Sequence, residues 1–148
     1  MIDSTFFGAN RRKIIDIIAD SLIVLTAYSE MQRCNDEAFG FKQEANFWWL
    51  TGIDQSDWLL IIDSQSDKQY LVSPVISDRH QLFNGNLLFD DAKAISGVDN
   101  VLSYDEAINM LVELAKKYDA VYTLIEPKDT GHLNFSLNPA QQKLHMVL

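Results

Sequence analysis

The chain contains little cysteine, proline or glycine, and it has no long hydrophobic run. Cys34 is the only cysteine among 148 residues, which excludes an intrachain disulfide and fits a reducing compartment. Three prolines, six glycines and a hydrophobic fraction of 47% exclude a disordered chain. No apolar run approaches the roughly 18 residues of a membrane span, and no secretory-type leader opens the sequence. We therefore expect a cytoplasmic protein without membrane contact.

Basic residues are also scarce. Twelve Lys and Arg against 21 Asp and Glu give a net charge of −9. A nucleic-acid surface needs clustered basic side chains, so this class of partner is not expected. The one short basic cluster, residues 11–13, is predicted to lie on the solvent side of a helix. The length predicts a single domain.

Motifs for catalysis and ligand binding are missing from the sequence. No pair of histidines has the spacing of zinc ligands, and Cys34 has no partner cysteine; the three histidines are His80, His132 and His145. The glycines lack the spacing of a phosphate-binding loop. A nucleophilic cysteine would need a nearby base, which the spacing does not supply. We assign no catalytic, cofactor-binding or metal-binding residue to this chain.

Hydrophobic patterning predicts helices alternating with strands. A first helix is predicted from a cap at Asp3 or Ser4 to about Asp20, followed by a buried strand over Leu22–Ala27. Ser103 and Glu106 predict a capping box. Further strands are predicted at 47–50, 58–63, 69–73, 101–102 and 121–125. Further helices are predicted at 90–96, with Asp90 as its cap, at 104–117 and at 139–148, and residues 76–83 are expected to form a short helix or a helical loop. The expected fold class is α/β, a single mixed sheet of about five or six strands flanked by helices.

The most distinctive stretch runs from Asn35 to Gly52. It ends in Phe47, Trp48 and Trp49 followed by Leu-Thr-Gly, a pattern that favours a strand running into a turn. Adjacent tryptophans on a strand would point to opposite faces. Either both pack beneath helices or one of them lines a docking surface.

This stretch resembles the N-terminal domain of Xaa-Pro aminopeptidases (aminopeptidase P) and of the related prolidases and creatinases. There, an Asn-Asp-like pair leads through a Phe-Arg-Gln-like step to an aromatic-aromatic-Leu-Thr-Gly turn. The matching residues are Asn35, Asp36, Phe41, Lys42, Gln43 and 47–52. Weaker matches follow at Gly85, 92–93, 97–99 and 103–106. The resemblance covers nearly the whole chain, from Phe6 to Leu148.

The resemblance implies one non-catalytic domain over residues 1–148, of the creatinase/prolidase N-terminal type. In this family a separate C-terminal domain of pita-bread type binds two divalent ions, usually manganese, and hydrolyses the Xaa-Pro bond. No segment here resembles that domain. The resemblance therefore implies no cofactor in this chain and two metal ions in a missing catalytic domain. The chain would be a fragment of a longer enzyme or a naturally isolated domain.

The resemblance also implies where such a domain would act. The family domain supports dimers or tetramers, and it walls the active-site cleft through a loop with a Trp-x-Gly-Arg-Arg-like motif. Asn86 and Leu87 replace both arginines of that motif, and Lys42 stands where arginine is usual, which puts charge-based contacts in doubt. The candidate interface or substrate-access residues are Trp48, Trp49, Phe83, Asn84, Gly85 and Asn86. The expected partners are a second copy or the missing catalytic domain, with a peptide substrate only in the parent enzyme.

Three alternatives stay open. The chain could be a free-standing interaction module of the same fold that uses the Tyr28–Gly40 loop and its aromatic edge. The parent enzyme could be a prolidase or a creatinase instead of an aminopeptidase P. An unrelated enzyme that uses Cys34 would show rapid thiol alkylation at neutral pH.

Overall fold

The described part of the chain forms one five-stranded sheet, a small hairpin and four helices. The computed structural model describes residues 2–35, 37–77, 85, 87–125 and 144. The helices are α1 (Ser4–Ile17), α2 (Ala45–Thr51), α3 (Phe89–Ser96) and α4 (Tyr104–Ala115). The strands are β1 (Leu22–Thr26), β2 (Gln32–Cys34), β3 (Glu37–Ala38), β4 (Leu59–Asp63), β5 (Lys68–Val72), β6 (Asn100–Leu102) and β7 (Val121–Tyr122).

The sheet is mixed, as the sequence predicts, with strand order β6-β5-β4-β1-β7. Strand β4 pairs antiparallel with β1 and with β5, whereas β6 runs parallel to β5 and β7 parallel to β1. Four strands therefore point the same way and β4 points the opposite way. Every residue of β1 and β4 is buried, which explains their continuous apolar sequences.

Alternate residues of the central strands enter two separate hydrophobic layers. Ile23 and Leu60 face the layer that α1, α2 and α3 cover, together with Phe47 and Leu50 of α2. Val24 and Ile61 face the opposite layer, which α4 covers through Ala107, Leu111 and Leu114. The two-residue period of a strand thus places helices on both faces of the sheet.

The predicted strand at Phe47-Trp48-Trp49 is wrong, because these residues form helix α2. Glu44 precedes the helix and its carboxylate accepts a hydrogen bond of 2.6 Å from the Phe47 amide. Gly52 ends the helix in a left-handed conformation, φ 71°, and its amide donates to the Trp48 carbonyl. These two end signals outweigh the strand propensity of the aromatic residues.

The predicted solvent-exposed basic cluster is wrong at Arg11, which has no exposed surface. Its Nε donates to Gln69 Oε1 at 2.5 Å, and its Nη1 donates to the Leu50 carbonyl at 2.6 Å. Burial lowers the pKa of Arg11 to about 10, opposed by the nearby charge of Asp99, so the guanidinium stays protonated at neutral pH. Neighbouring Asn10 donates to the Trp49 carbonyl at 3.0 Å. Helix α1 thus clamps the end of α2 against β5.

Most other expected features are confirmed, with local differences. The Asp3 cap of α1 and the Ser103–Glu106 capping box form as predicted, although α1 ends at Ile17 instead of Asp20. Asp90 lies in the first turn of α3 instead of capping it, where a carboxylate favours the helix dipole. The Tyr28–Gly40 loop contains the β2–β3 hairpin. The segments predicted as helical at 76–83 and 139–148 lie mostly outside the described residues. Within the part of the chain that the structure describes, no helix is long and apolar enough to cross a membrane.

We expect Arg11→Ala to lower the free energy of unfolding by at least about 2 kcal/mol, because it leaves buried acceptors unpaired and opens a cavity. Arg12→Ala is the matched control, since Arg12 is exposed and forms an ion pair with the exposed Asp67 at 2.7 Å. The control should change the free energy by less than about 1 kcal/mol. Urea denaturation measures both values, and equal effects would contradict the clamp.

We expect Gly52→Ala to destabilise the fold more than Gly85→Ala. Both glycines have a left-handed backbone, with φ of 71° and 74°, so both substitutions carry a similar strain of about 1–2 kcal/mol. A Cβ at Gly52 would also lie 2.4 Å from Cε2 of Phe7, whereas a Cβ at Gly85 would meet no atom of the described residues within 4 Å. Melting temperatures of the two variants would test this, and an equal decrease would contradict the packing of Phe7 on Gly52.

Candidate functional site

A cleft of about 690 Å³ lies at one edge of the central sheet. It lies where β4 begins at Leu59 and where the chain leaves β5 through Pro74. Register pairs Thr26 with Leu59, Leu59 with Val72, and Val72 with Leu102, so the ends of β1, β5 and β6 meet at this edge. Ligands of open α/β sheets commonly bind outside the carboxyl ends of the strands. We call this cavity the carboxyl-edge cleft.

The carboxyl-edge cleft combines apolar walls with an acidic rim. Its apolar lining includes Phe41, Trp58, Pro74, Val75, Ile76, Tyr104 and Ile108. Three exposed carboxylates, those of Glu30, Asp54 and Asp57, also line it. The described lining residues include no lysine, arginine or histidine. The charged side chains among the described lining residues are therefore all acidic, and they lie beside an apolar surface.

Trp58 borders the cleft, and its side chain carries an unpaired hydrogen-bond donor. Its side chain is completely buried, and its Nε1 has no hydrogen-bond partner within the described part of the chain. An unpaired buried donor costs roughly 1–3 kcal/mol. Its backbone carbonyl accepts from the Ala27 amide at 2.8 Å, which extends the β1–β4 ladder to the cleft.

Gln43 holds together three chain segments beside the cleft. Its Oε1 accepts hydrogen bonds from the amides of Tyr28, at 3.0 Å, and Glu44, at 2.8 Å. Its Nε2 donates to the carbonyls of Ile53, at 3.2 Å, and Gln55, at 2.8 Å. One side chain thus fixes the start of the hairpin segment, the cap of α2 and the loop that carries Asp54.

Asp57 is held at the rim by contacts with the segment after β1. Its amide donates to the Tyr28 carbonyl at 3.0 Å, and its carboxylate accepts from Ser29 Oγ at 2.5 Å. The backbone of Asp57 is left-handed, φ 63°, a conformation that Asp and Asn tolerate better than most residues. Burial raises the pKa of the Tyr28 hydroxyl, and the Glu44 carboxylate raises it further.

The β2–β3 hairpin stands at the mouth of the cleft. Glu30 and Phe41 lie on either side of the hairpin, and both line the cavity. Phe39 is 54% exposed at the end of the second strand. The hairpin therefore presents an aromatic side chain to solvent next to the cleft.

The structure brings one of the predicted access residues into the cleft. Gly85 lines it, whereas Phe83, Asn84 and Asn86 lie outside the described residues. Trp48 and Trp49 belong to α2 and are absent from the described lining of the cleft. Their role as interface residues stays a prediction.

The two tryptophans have different surroundings on α2. Trp48 is half-buried and packs edge-on against Phe7, with ring centroids 5.9 Å apart. Trp49 is 36% exposed, and its carbonyl accepts from Asn10. Trp48 therefore supports packing of α1 on α2, while Trp49 leaves part of an aromatic ring accessible.

Sequence reasoning missed the acidic rim and Trp58 as site residues. Glu30, Asp54 and Asp57 are spread over 28 positions and meet only through the pairing of β1 with β4. Their position in the sequence could have indicated Asp57 and Trp58 as site residues, because both directly precede the apolar run that forms a buried strand.

The described residues do not fit a metal centre of the family type. They contain no group of three or more His, Cys, Asp or Glu side chains placed to hold a metal ion. His80, His132 and His145 lie outside the described residues. Cys34 is exposed, and its Sγ lies 3.5 Å from Glu37 Oε2. No chemical step is assigned to a metal in this domain.

Comparison with known protein families identifies the family of this chain. The family profile for the aminopeptidase P N-terminal domain matches residues 7–122. The chain belongs to this family. The expected resemblance to an aminopeptidase P N-terminal domain is therefore confirmed.

Curated relatives and solved structures agree with the assignment. The protein named probable Xaa-Pro aminopeptidase pepP of Botryotinia fuckeliana is 32% identical over 84% of this chain. The Xaa-Pro dipeptidase of Mus musculus is 30% identical over 71% of it. The chain spans only 28% and 23% of those relatives. The structure of proline aminopeptidase P II from Yersinia pestis matches 99% of this chain, and the match covers 33% of the Yersinia chain. Its TM-score of 0.76 at 20% sequence identity supports the fold.

We expect Gln43→Ala to loosen the segments that meet beside the cleft. Amide exchange at Tyr28 and Glu44 should accelerate about tenfold or more, because both amides lose their acceptor. Exchange at Leu60 in the central sheet should stay slow. Gln65→Ala, in the exposed β4–β5 turn, is the matched control. Unchanged exchange at both amides would show that Gln43 does not hold these segments together.

Proposed function

We propose that this chain serves as the N-terminal domain of an Xaa-Pro aminopeptidase-like metallopeptidase, where it walls the active-site cleft and supports oligomerisation. The observation that carries the proposal is the position of Gly85. This residue matches the access loop of the family, and it lines the carboxyl-edge cleft of a domain that belongs to that family.

The catalytic role is proposed for a domain other than this one. The parent enzyme would release the N-terminal residue from Xaa-Pro peptides, using two divalent ions, with manganese as the expected metal. We propose a cytoplasmic location for the parent protein, for which the single cysteine is the supporting feature.

The exposed apolar side chains support an interface role. Val75, Leu88 and Phe89 are 79%, 62% and 43% exposed. Val75 lines the carboxyl-edge cleft, and Phe89 and Val75 both line a smaller neighbouring cavity of about 200 Å³. Clustered exposed apolar residues are typical of protein contact sites. The proposed occupant is the catalytic domain or a second subunit.

A free-standing interaction module is the second candidate function. The observation that favours it is the β2–β3 hairpin, whose Phe39 is solvent-exposed beside the cleft. A prolidase parent is also compatible, since the mouse relative is named an Xaa-Pro dipeptidase. A creatinase parent would share the same domain fold.

We expect the 148-residue chain, supplied with Mn²⁺ and an Xaa-Pro peptide, to show no hydrolysis, because the proposal places the catalytic groups elsewhere. Release of the N-terminal amino acid would be measured by chromatography. The Xaa-Pro aminopeptidase of Escherichia coli, assayed in parallel, would confirm that the conditions support turnover. Turnover by the chain above the buffer control would contradict a non-catalytic domain.

The mass of the native protein separates the two candidate functions. An antibody raised against this domain would detect the protein in a lysate of its source. A species much larger than 16.9 kDa supports the peptidase parent. A species near that mass contradicts it and supports the interaction module.

A further inference from the structure

We propose that the hydrogen bond from Tyr118 to Asp63 acts as a latch that holds strand β7 against the sheet and controls its local opening. Tyr118 lies in the connection between α4 and β7, three residues before Val121, and Asp63 is the last residue of β4. This inference goes beyond the proposed function, because it concerns a movement of the domain itself and applies with or without a catalytic domain.

Strand β7 has a short ladder of its own. It is the last strand of the sheet within the described part of the chain, and it pairs with β1 at two positions, Leu22 with Val121 and Ile23 with Tyr122. The central pairs of strands, β1 with β4 and β4 with β5, each match at five positions. Local opening needs the least free energy where few backbone contacts hold a segment, so β7 is expected to open before the central strands.

The latch connects β7 to β4, which is two strands away in the sheet. Asp63 pairs with Leu22, and Leu22 pairs with Val121, so these three residues form one row at the same end of the sheet. Three residues of chain, about 10 Å when fully extended, separate Tyr118 from Val121. A ladder that opens while the latch stays closed therefore reforms quickly, because the short tether keeps the local concentration of β7 high.

The protonation states of both partners strengthen the latch at neutral pH. Asp63 is only 7% exposed. Burial raises the pKa of Asp63, but hydrogen bonds from Tyr118 and Ser66 and the charge of Lys117 outweigh it, so the pKa lies below its usual range and the carboxylate is ionised. Burial and the hydrogen bond to Asp63 raise the pKa of Tyr118 to about 12, so its hydroxyl keeps its proton. A hydrogen bond to an ionised acceptor is roughly twice as strong as one between neutral groups.

The turn after β4 fixes the acceptor of the latch. The Ser66 amide donates to Asp63 Oδ1 at 3.1 Å, and the Gln65 amide donates to the Tyr118 hydroxyl oxygen at 3.4 Å. The hydroxyl of Ser64 accepts from the Ser21 amide at 2.7 Å and donates to the Ser21 carbonyl at 2.8 Å, which ties the turn to the segment before β1. Because the acceptor is already ordered, closing the latch costs little further conformational freedom.

The experiment compares hydrogen exchange of the 148-residue chain and of its Tyr118→Phe variant by mass spectrometry. Phenylalanine keeps the ring that packs in the layer beneath α4 and removes only the hydroxyl. We expect amides within residues 119–125 to exchange at least about tenfold faster in the variant, because β7 opens more often. Residues 59–62 of β4 should stay protected, because the five-position ladders on both sides of β4 remain.

Two further variants test the acceptor and the specificity of the effect. Asp63→Asn keeps an oxygen that can accept from Tyr118 and Ser66 but removes the charge, so we expect a smaller acceleration at β7 of about threefold. Tyr104→Phe is the matched control. Tyr104 is half-buried against the same hydrophobic layer as Tyr118, but it is the first residue of α4, at the helix end away from the latch. Its loss of a hydroxyl should change exchange at β7 by less than about twofold.

Three outcomes would overturn the inference: unchanged exchange at β7 in Tyr118→Phe, an equal acceleration in Tyr104→Phe, or a loss of protection in β4 as large as that in β7. The last outcome, which includes a variant that fails to fold, would show that the bond holds the whole domain instead of one strand. None of these outcomes bears on hydrolysis or native mass, so the inference and the proposed function can fail separately.

Discussion

The fold depends on one buried guanidinium group. Arg11 joins α1 to the last turn of α2 and to β5, through the Leu50 carbonyl and the Gln69 side chain. Both acceptors are neutral, and the carbonyls at the end of a helix carry partial negative charge that suits a cation. Burying a charge is costly, and here the nearby charge of Asp99 and the surrounding contacts offset part of that cost. Neighbouring Asn10 donates a hydrogen bond to the Trp49 carbonyl and so reinforces the contact between α1 and α2.

This clamp at one end of α2 is linked to the cleft at the other end. Glu44 caps the first turn of α2, and the adjacent Gln43 bonds both the segment after β1 and the loop before β4. A short helix of seven residues has little stability by itself and must be held at both ends. The geometry of the acidic rim therefore follows from contacts that begin in the core.

The sequence predicted the central sheet well, because β1 and β4 are continuous apolar runs that only a doubly covered strand explains. It failed at α2, whose length is too short to display a helical period and whose aromatic residues favour strands. It failed at Arg11 because the acceptor Gln69 lies 58 positions away. The cleft was missed for the same reason, since strand pairing alone brings Glu30 near Asp57. Capping residues, by contrast, act locally, which is why Ser103 and Glu106 were recognised.

The Phe-Trp-Trp-Leu-Thr-Gly segment has one further consequence. Thr51 bonds the Phe47 carbonyl and the Ile53 amide, Gly52 turns beneath Phe7, and Phe47 and Leu50 fill the core. The segment that resembles the family therefore determines how helix α2 ends rather than a catalytic step. A search pattern built from it would retrieve proteins by architecture, whether or not they retain an enzyme. Genome surveys that count peptidases by this signature would also count any relative that has kept the scaffold and lost the activity.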